Sequence, residues 1–295
     1  MKKNEYSKVT LSPEAQDALQ QLHTLLTAKH YSPRTIRNYM QEMRFLFAHH
    51  CDLLPDSIVS KDIIAYINFI VKEHGVGREK CHQVAQSYSF FFKHVLPSPF
   101  VIPSQFYPHK QNKLPQVFSK DQVKQLISVI TNLKHRLVIS LFYGTGLRMN
   151  EMANLKICDI DSKAFQVKVS GKGYKDRFTI LPKHLLDDMR KYYLLQKPQT
   201  YLFEGQTKGK PMHTRSIQHF VQQYVTRIGL GGKDYSAHTL RHSFATHPLD
   251  AGVDIHTIKE LLGNNISTTM VYLHLQQSKR AALVSPFDSL ETSSQ

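Results

Sequence analysis

The sequence predicts a mainly α-helical protein with a small antiparallel β-sheet, an α+β chain in two domains. Three observations carry this. Apolar residues recur at helical spacing through the first hundred positions. A proline-rich stretch at 97–116 then breaks every regular pattern. Beyond it, one pair of alternating segments around a Gly-Lys-Gly turn is set among further helices. At 295 residues the chain is long for one core and comfortable for two.

The elements follow in order. Ser12-Pro13 and Ser32-Pro33 each open a helix, with proline in the first turn where its missing N–H costs nothing. In the second of these, Ile36, Tyr39, Met40, Met43 and Phe47 follow helical spacing. Arg34, Arg37, Asn38 and Arg44 lie between them on a basic face that is either solvated or laid on phosphates. Ser60 is read as the cap of a third helix carrying Ile63, Ile64, Ile67, Phe69 and Ile70. A fourth spans about 78–95, and its run Phe90-Phe91-Phe92 reads as core. The five prolines of 97–116 make a linker between residues 1–97 and a second domain at 117–295. Lys110 and Lys113 within it are equally readable as solvated or as backbone contacts.

In the second domain Ser119 caps a helix with Val123, Leu126, Ile127 and Ile130. A more apolar helix over 133–144 ends at Gly144-Thr145-Gly146. Phe165, Val167 and Val169 alternate, Gly171-Lys172-Gly173 turns, and Phe178, Ile180 and Leu181 return. Helices resume near 183, 214, 239, 254 and 267.

The chain carries 38 Lys and Arg against 23 Asp and Glu, a net +15 that favours a polyanion, nucleic acid before anionic membrane. No apolar run is long enough for a transmembrane helix, and the start is not that of a secretory signal. Cys51, Cys81 and Cys158 form no CxxC pair, which argues against a disulfide frame or a zinc site and fits a reducing cytoplasm.

Four local patterns can carry chemistry. Arg148 and Glu151 in GTGLRMNE are three apart and share a helix face. Taken alone this reads first as a surface ion pair, but a guanidinium fixed at a helix start also suits a phosphate. Lys172 stands at the tip of the hairpin SGKGYKDR, with Lys175 and Arg177 beside it as candidate DNA contacts. Alone it is an ordinary basic turn. His238 and Arg241 in AHTLRHSFATH repeat the three-residue spacing at a helix N-terminus. His242 and His247 stand near, but no acid or cysteine accompanies them as a metal site would require. Finally, Ile255, Ile258, Leu261 and Leu262 form a stripe ended by Gly263, and Ser267 opens a helix with Tyr272 on its second turn. A lone helical tyrosine is ordinarily core.

In this order and at these local spacings, the four patterns resemble the tyrosine recombinase (phage integrase) family over nearly the whole chain. The match is tightest over 144–151, 171–177 and 238–274. The N-terminal helices resemble the family's SAM-like core-binding domain, and 117–295 its catalytic domain with a C-terminal tail. The tail segment Ser285–Leu290 is similar to the ends of integron integrases, although the helical insert typical of that group is missing. The resemblance thus points to an integron-like relative or a member borne by a mobile element.

The resemblance implies roles. Arg148 and Arg241 would offset phosphate charge, supported by Glu151. Tyr272 would attack phosphorus to give a 3′-phosphotyrosine link, with His238 as proton acceptor and Lys172 as donor to the leaving oxygen. No metal, ATP or other cofactor is implied. The partners implied are double-stranded recombination sites and a homotetramer assembled on them, in the cytoplasm at the nucleoid. The segment 278–290, with Leu283 and Phe287, would dock on a neighbouring subunit or on its own domain. Two residues depart from the family pattern. Asn264 stands where histidine or tryptophan is usual, and can donate a hydrogen bond but carry no charge. Pro248 lies inside a helix. These departures keep open a catalytically weakened DNA-binding accessory protein, and the shared chemistry keeps open a type IB topoisomerase-like enzyme.

Overall fold

The computed structural model describes Tyr6 and residues 9–96, 115–170, 176–232 and 234–275. The chain divides into two compact units, Met1–Asn112 and Lys113–Gln295. Among the described residues no helix is long and apolar enough to cross a membrane.

The first unit is built on α1 (Pro13–Ala28), α2 (Pro33–His49), α3 (Ser60–His74) and α4 (Arg78–His94). Ser12 and Ser32 cap the first two helices, each side chain accepting a backbone N–H three residues on at 3.2 Å. Ser60 is the first residue of its helix rather than its cap. The orphan Val59 N–H is taken instead by the Asp62 carboxylate at 3.0 Å. Leu22, Leu26, Met43, Leu46, Ile63, Ile67, Val84 and Phe91 meet in one core. Phe91 and Phe92 are buried as the sequence predicts. Phe90 lies at the edge, against the rings of Tyr31 and Tyr39.

The second unit begins with α5 (Lys120–Ser128) and α6 (Leu133–Thr145), followed by the single-turn α7 (Met149–Ala153). Three short strands, β1 (Ile160–Asp161), β2 (Gln166–Val169) and β3 (Arg177–Ile180), pair antiparallel in that order. β1 has too few residues to show an alternation, so only the β2–β3 pair was legible. Then come α8 (Leu186–Gln196), α9 (Thr214–Arg227), α10 (Ala237–Asp250), α11 (Ile255–Leu262), α12 (Ile266–Thr269) and a 3₁₀ segment, Met270–Leu275.

The return strand faces opposite to its apolar pattern. Phe178 and Ile180 are exposed at 56% and 48%, while Thr179 is buried and donates its hydroxyl to the Thr145 carbonyl at 2.7 Å. In the register Val167↔Thr179 and Val169↔Arg177, the inward residues of β3 are therefore Arg177 and Thr179.

α10 packs along α6 and holds the unit's middle together. His247 pins the start of the unit to this pair, meeting the Phe118 carbonyl at 3.0 Å and the Tyr143 hydroxyl at 2.8 Å with its two ring nitrogens. Pro248 lies in the last turn of α10, which continues to Asp250, so proline costs a hydrogen bond at a helix end rather than breaking its middle.

Candidate active site

Two helix ends and one strand converge. α6 ends at Gly146, whose φ of +64° is reached without strain by glycine, and a Cβ there would overlap the Phe244 ring of α10. α11 ends at Gly263, φ +59°, where a Cβ would come within 2.6 Å of the Arg177 side chain. Both stops leave carbonyl oxygens without helical partners. Arg241, with its side chain 5% exposed, takes two of them, donating to the Gly146 carbonyl and, at 2.9 Å, to the Leu262 carbonyl.

Arg148 stands just beyond the first stop and leads into α7. It donates to the Gly263 carbonyl at 3.0 Å, to Glu151 Oε1 at 2.8 Å and to Asn264 Oδ1 at 2.6 Å. Arg241 reaches the same Asn264 oxygen at 3.2 Å. The two guanidinium groups foretold from sequence thus share one acceptor, although they lie far apart in the chain. The Asn264 carboxamide presents its oxygen to them, as two donors require.

Glu151 lies beneath this pair. It accepts the Arg148 N–H at 2.7 Å and a bidentate pair of bonds from Arg177 at 2.8 and 2.7 Å, and Arg241 stands 3.8 Å away. These cations and N–H donors outweigh the opposing effect of burial and hold its carboxyl down at about 2. Burial, the Arg148 charge and other neighbours lower the Arg241 guanidinium to about 10, so it stays charged at neutral pH.

Arg177 corrects a sequence expectation. Read as a DNA contact at the hairpin, it has its side chain only 10% exposed and spends its donors on Glu151 and, at 3.0 Å, on the Leu261 carbonyl. The inward parity of β3 is the reason. Arg44 is corrected in part, since its half-buried guanidinium donates to the Val9 carbonyl at 3.3 Å within its own unit. Arg34 and Arg37 are exposed. Lys172, Lys175 and the tail with Leu283 and Phe287 lie outside the described residues.

Tyr272 sits in the 3₁₀ segment rather than on a second α-helical turn. It is 3% exposed, among Phe244, Leu249, Ile258 and Leu262. Burial raises its phenol pKa, and the charges of Arg241 and Arg148 act in the opposite sense. Its hydroxyl is within 2.9 Å of His242 Nδ1. The imidazole at the phenol is therefore His242, one turn beyond His238. Its only sequence signal was its place four residues after His238 on one helix face. Burial, then His238 and Arg241, lower His242 to about 4, so it is neutral at pH 7. His238 is an exposed residue at the start of α10, and loss of water on its protein side, then Arg241 and Arg148, lower its pKa. Among the described residues no cluster of three or more histidine, cysteine or acidic side chains is placed to hold a metal.

Two family models match the chain: the phage integrase family over residues 116–279, and the phage integrase N-terminal SAM-like domain over 18–100. The tyrosine recombinase XerA of Thermococcus kodakarensis is 32% identical over 282 residues, covering 91% of this chain and 96% of that protein. The tyrosine recombinase XerC of Staphylococcus saprophyticus is 30% identical over 275 residues, covering 86% and 90%. Among solved structures, the XerH site-specific recombinase bound to palindromic difH substrate superposes with a TM-score of 0.71. That match covers 97% of this chain and 93% of the other at 18% identity, a likeness of fold. With its two converging arginines, the carboxylate that braces them and a tyrosine at their edge, the chain belongs to the phage integrase family, the tyrosine recombinases.

Proposed function

We propose that this chain is a site-specific recombinase that cleaves and rejoins duplex DNA through a 3′-phosphotyrosine link at Tyr272. The observation that carries the reading is the convergence of Arg148 and Arg241 on one oxygen, at 2.6 and 3.2 Å. Two rigid cations around a single oxyanion-sized position form a cradle for a non-bridging phosphate oxygen, whose charge grows as phosphorus becomes five-coordinate. Asn264 Oδ1 holds that position in the free protein, and the phosphate displaces it. Glu151 and Arg177 fix the cradle from below. His238 faces the phosphate from the helix N-terminus, and Lys172 gives a proton to the departing 5′ oxygen. The phosphotyrosine link keeps the bond energy, so the reading needs neither ATP nor metal.

In this reading residues 1–97 grip the duplex with Arg34 and Arg37, the linker 98–116 joins them to the catalytic residues 117–295, and four copies assemble on paired sites. The names of the relatives and the complex of XerH with its DNA substrate support it.

The test is covalent capture. Nicked duplexes with randomised arms are incubated with the protein, denatured, and the protein-bound strands sequenced. A recurrent sequence captured by the native chain and lost in Tyr272→Phe is the expected result. Retention of duplex without adduct would instead indicate an accessory DNA-binding protein. Relaxation of any supercoiled plasmid would indicate a topoisomerase-like enzyme.

A further inference from the structure

We infer that His242 is the group that receives the Tyr272 proton during strand cleavage, an inference that rests on Tyr272 being the nucleophile. Three observations carry it. The Tyr272 hydroxyl lies 2.9 Å from His242 Nδ1, a hydrogen bond already made in the free protein. The phenol is otherwise enclosed by apolar side chains at 3% exposure, so bulk water is a poor competitor for its proton. His238, the imidazole expected in this role, is an exposed residue one turn earlier on α10.

Proton transfer needs a neutral imidazole with a free nitrogen toward the phenol. His242 is neutral across the neutral range, and the groups that set this are burial and the neighbours His238 and Arg241. Binding a phosphodiester changes this balance. Its negative charge, seated at Arg148 and Arg241, offsets the nearby positive charge and strengthens His242 as a base at the moment the phenol must ionise. As the Tyr272 oxygen–phosphorus bond forms, the phenolic proton moves to Nδ1 and the bond from phosphorus to the 5′ oxygen breaks. The leaving oxygen takes its proton from a separate acid. Rejoining reverses each transfer, and His242 returns the proton to the tyrosine.

The closing experiment uses the full-length protein and the duplex selected by covalent capture. His242→Asn places a carboxamide oxygen near the position of Nδ1, where it can hold the hydroxyl but cannot take a proton. His242→Ala removes both. Single-turnover cleavage is expected to fall by about 10²–10⁴-fold in both variants, with duplex affinity and thermal unfolding of His242→Asn close to native. A 5′-bridging phosphorothiolate, whose leaving group needs no proton, should restore Lys172→Ala but neither His242 variant. Cleavage by His242→Asn within about threefold of native would overturn the inference, because positioning alone would then suffice. Faster cleavage by His242→Ala would overturn it too, marking His242 as a restraint on the tyrosine. If the native chain forms no adduct, the nucleophile assignment fails and this inference falls with it.

Discussion

Replacing Glu151 by Gln tests the frame on which the site is built. The carboxylate is 12% exposed and accepts from Arg148 and Arg177, with Arg241 at 3.8 Å. Its fall from an ordinary 4.5 to about 2, at about 1.36 kcal/mol per unit, corresponds to about 3 kcal/mol of stability at pH 7. The sign follows from proton uptake. Between pH 4.5 and 2 the unfolded chain binds the proton and the folded one does not, so this contribution is complete above about 4.5 and is lost as pH falls toward 2. Glutamine imitates the protonated acid. The native protein should therefore exceed Glu151→Gln by about 3 kcal/mol at pH 7 and by about half that at pH 3. Because two units can unfold separately, the readout must be local. Met149 and Met152 are buried beside Glu151 in sequence, and their oxidation by peroxide across a urea titration reports this region at either pH. A difference below about 1 kcal/mol at pH 7, or one that fails to narrow in acid, would refute the reasoning.

Further outcomes follow from the same contacts. Gly146→Ala forces an alanine to φ +64° and overlaps Phe244; a loss of about 2 kcal/mol or more should lower the calorimetric Tm of the second unit by about 4–8 °C. His247→Ala removes the partner of both the Phe118 carbonyl and the Tyr143 hydroxyl and should cost about 1–3 kcal/mol in urea unfolding. Asn264→Asp sets a carboxylate on Arg148 and Arg241; the Tm should rise or hold while covalent adduct formation falls further than in Asn264→Ala, since the new charge competes with phosphate for the cradle.

The helices were legible because their signals are local. Ser12-Pro13, Ser32-Pro33 and the capping box of Ser119 with Gln122 mark helix starts through contacts within three residues. The glycine stops at 146 and 263 mark ends for the same reason. The convergence of Arg148 and Arg241 was legible only through family likeness, since no local rule joins residues 93 positions apart in sequence. Where the reading failed, an apolar pattern outvoted geometry. Phe178 and Ile180 look like a core face, but β3 must turn Thr179 toward the Thr145 carbonyl at the end of α6. Once Thr179 points inward, so does Arg177, and a residue taken for a DNA contact becomes the brace of Glu151. His242 stands beside the His-x-x-Arg spacing in the sequence, but nothing local ties it to Tyr272. Its role depends on where the 3₁₀ segment carries Tyr272, which is a tertiary fact.

The charge balance of the site explains why arginines can wait there without DNA. Arg148, Arg177 and Arg241 cluster around one carboxylate, an arrangement that leaves net positive charge and would be costly if its donors were unpaired. Further donors go to carbonyls at the two helix stops, those of Gly146, Leu261, Leu262 and Gly263, and to the Asn264 carboxamide. Neutral acceptors satisfy the hydrogen bonds without neutralising the charge. A histidine cation in place of Asn264 would add repulsion to this resting cluster, whereas a carboxamide supplies the missing acceptor. Replacing that neutral oxygen with a phosphate oxygen preserves the donor geometry and adds the negative charge the cluster lacks. The site is thus organised before substrate arrives, and its preference for an anion comes from leaving two positive charges unanswered while neutral oxygens accept the hydrogen bonds.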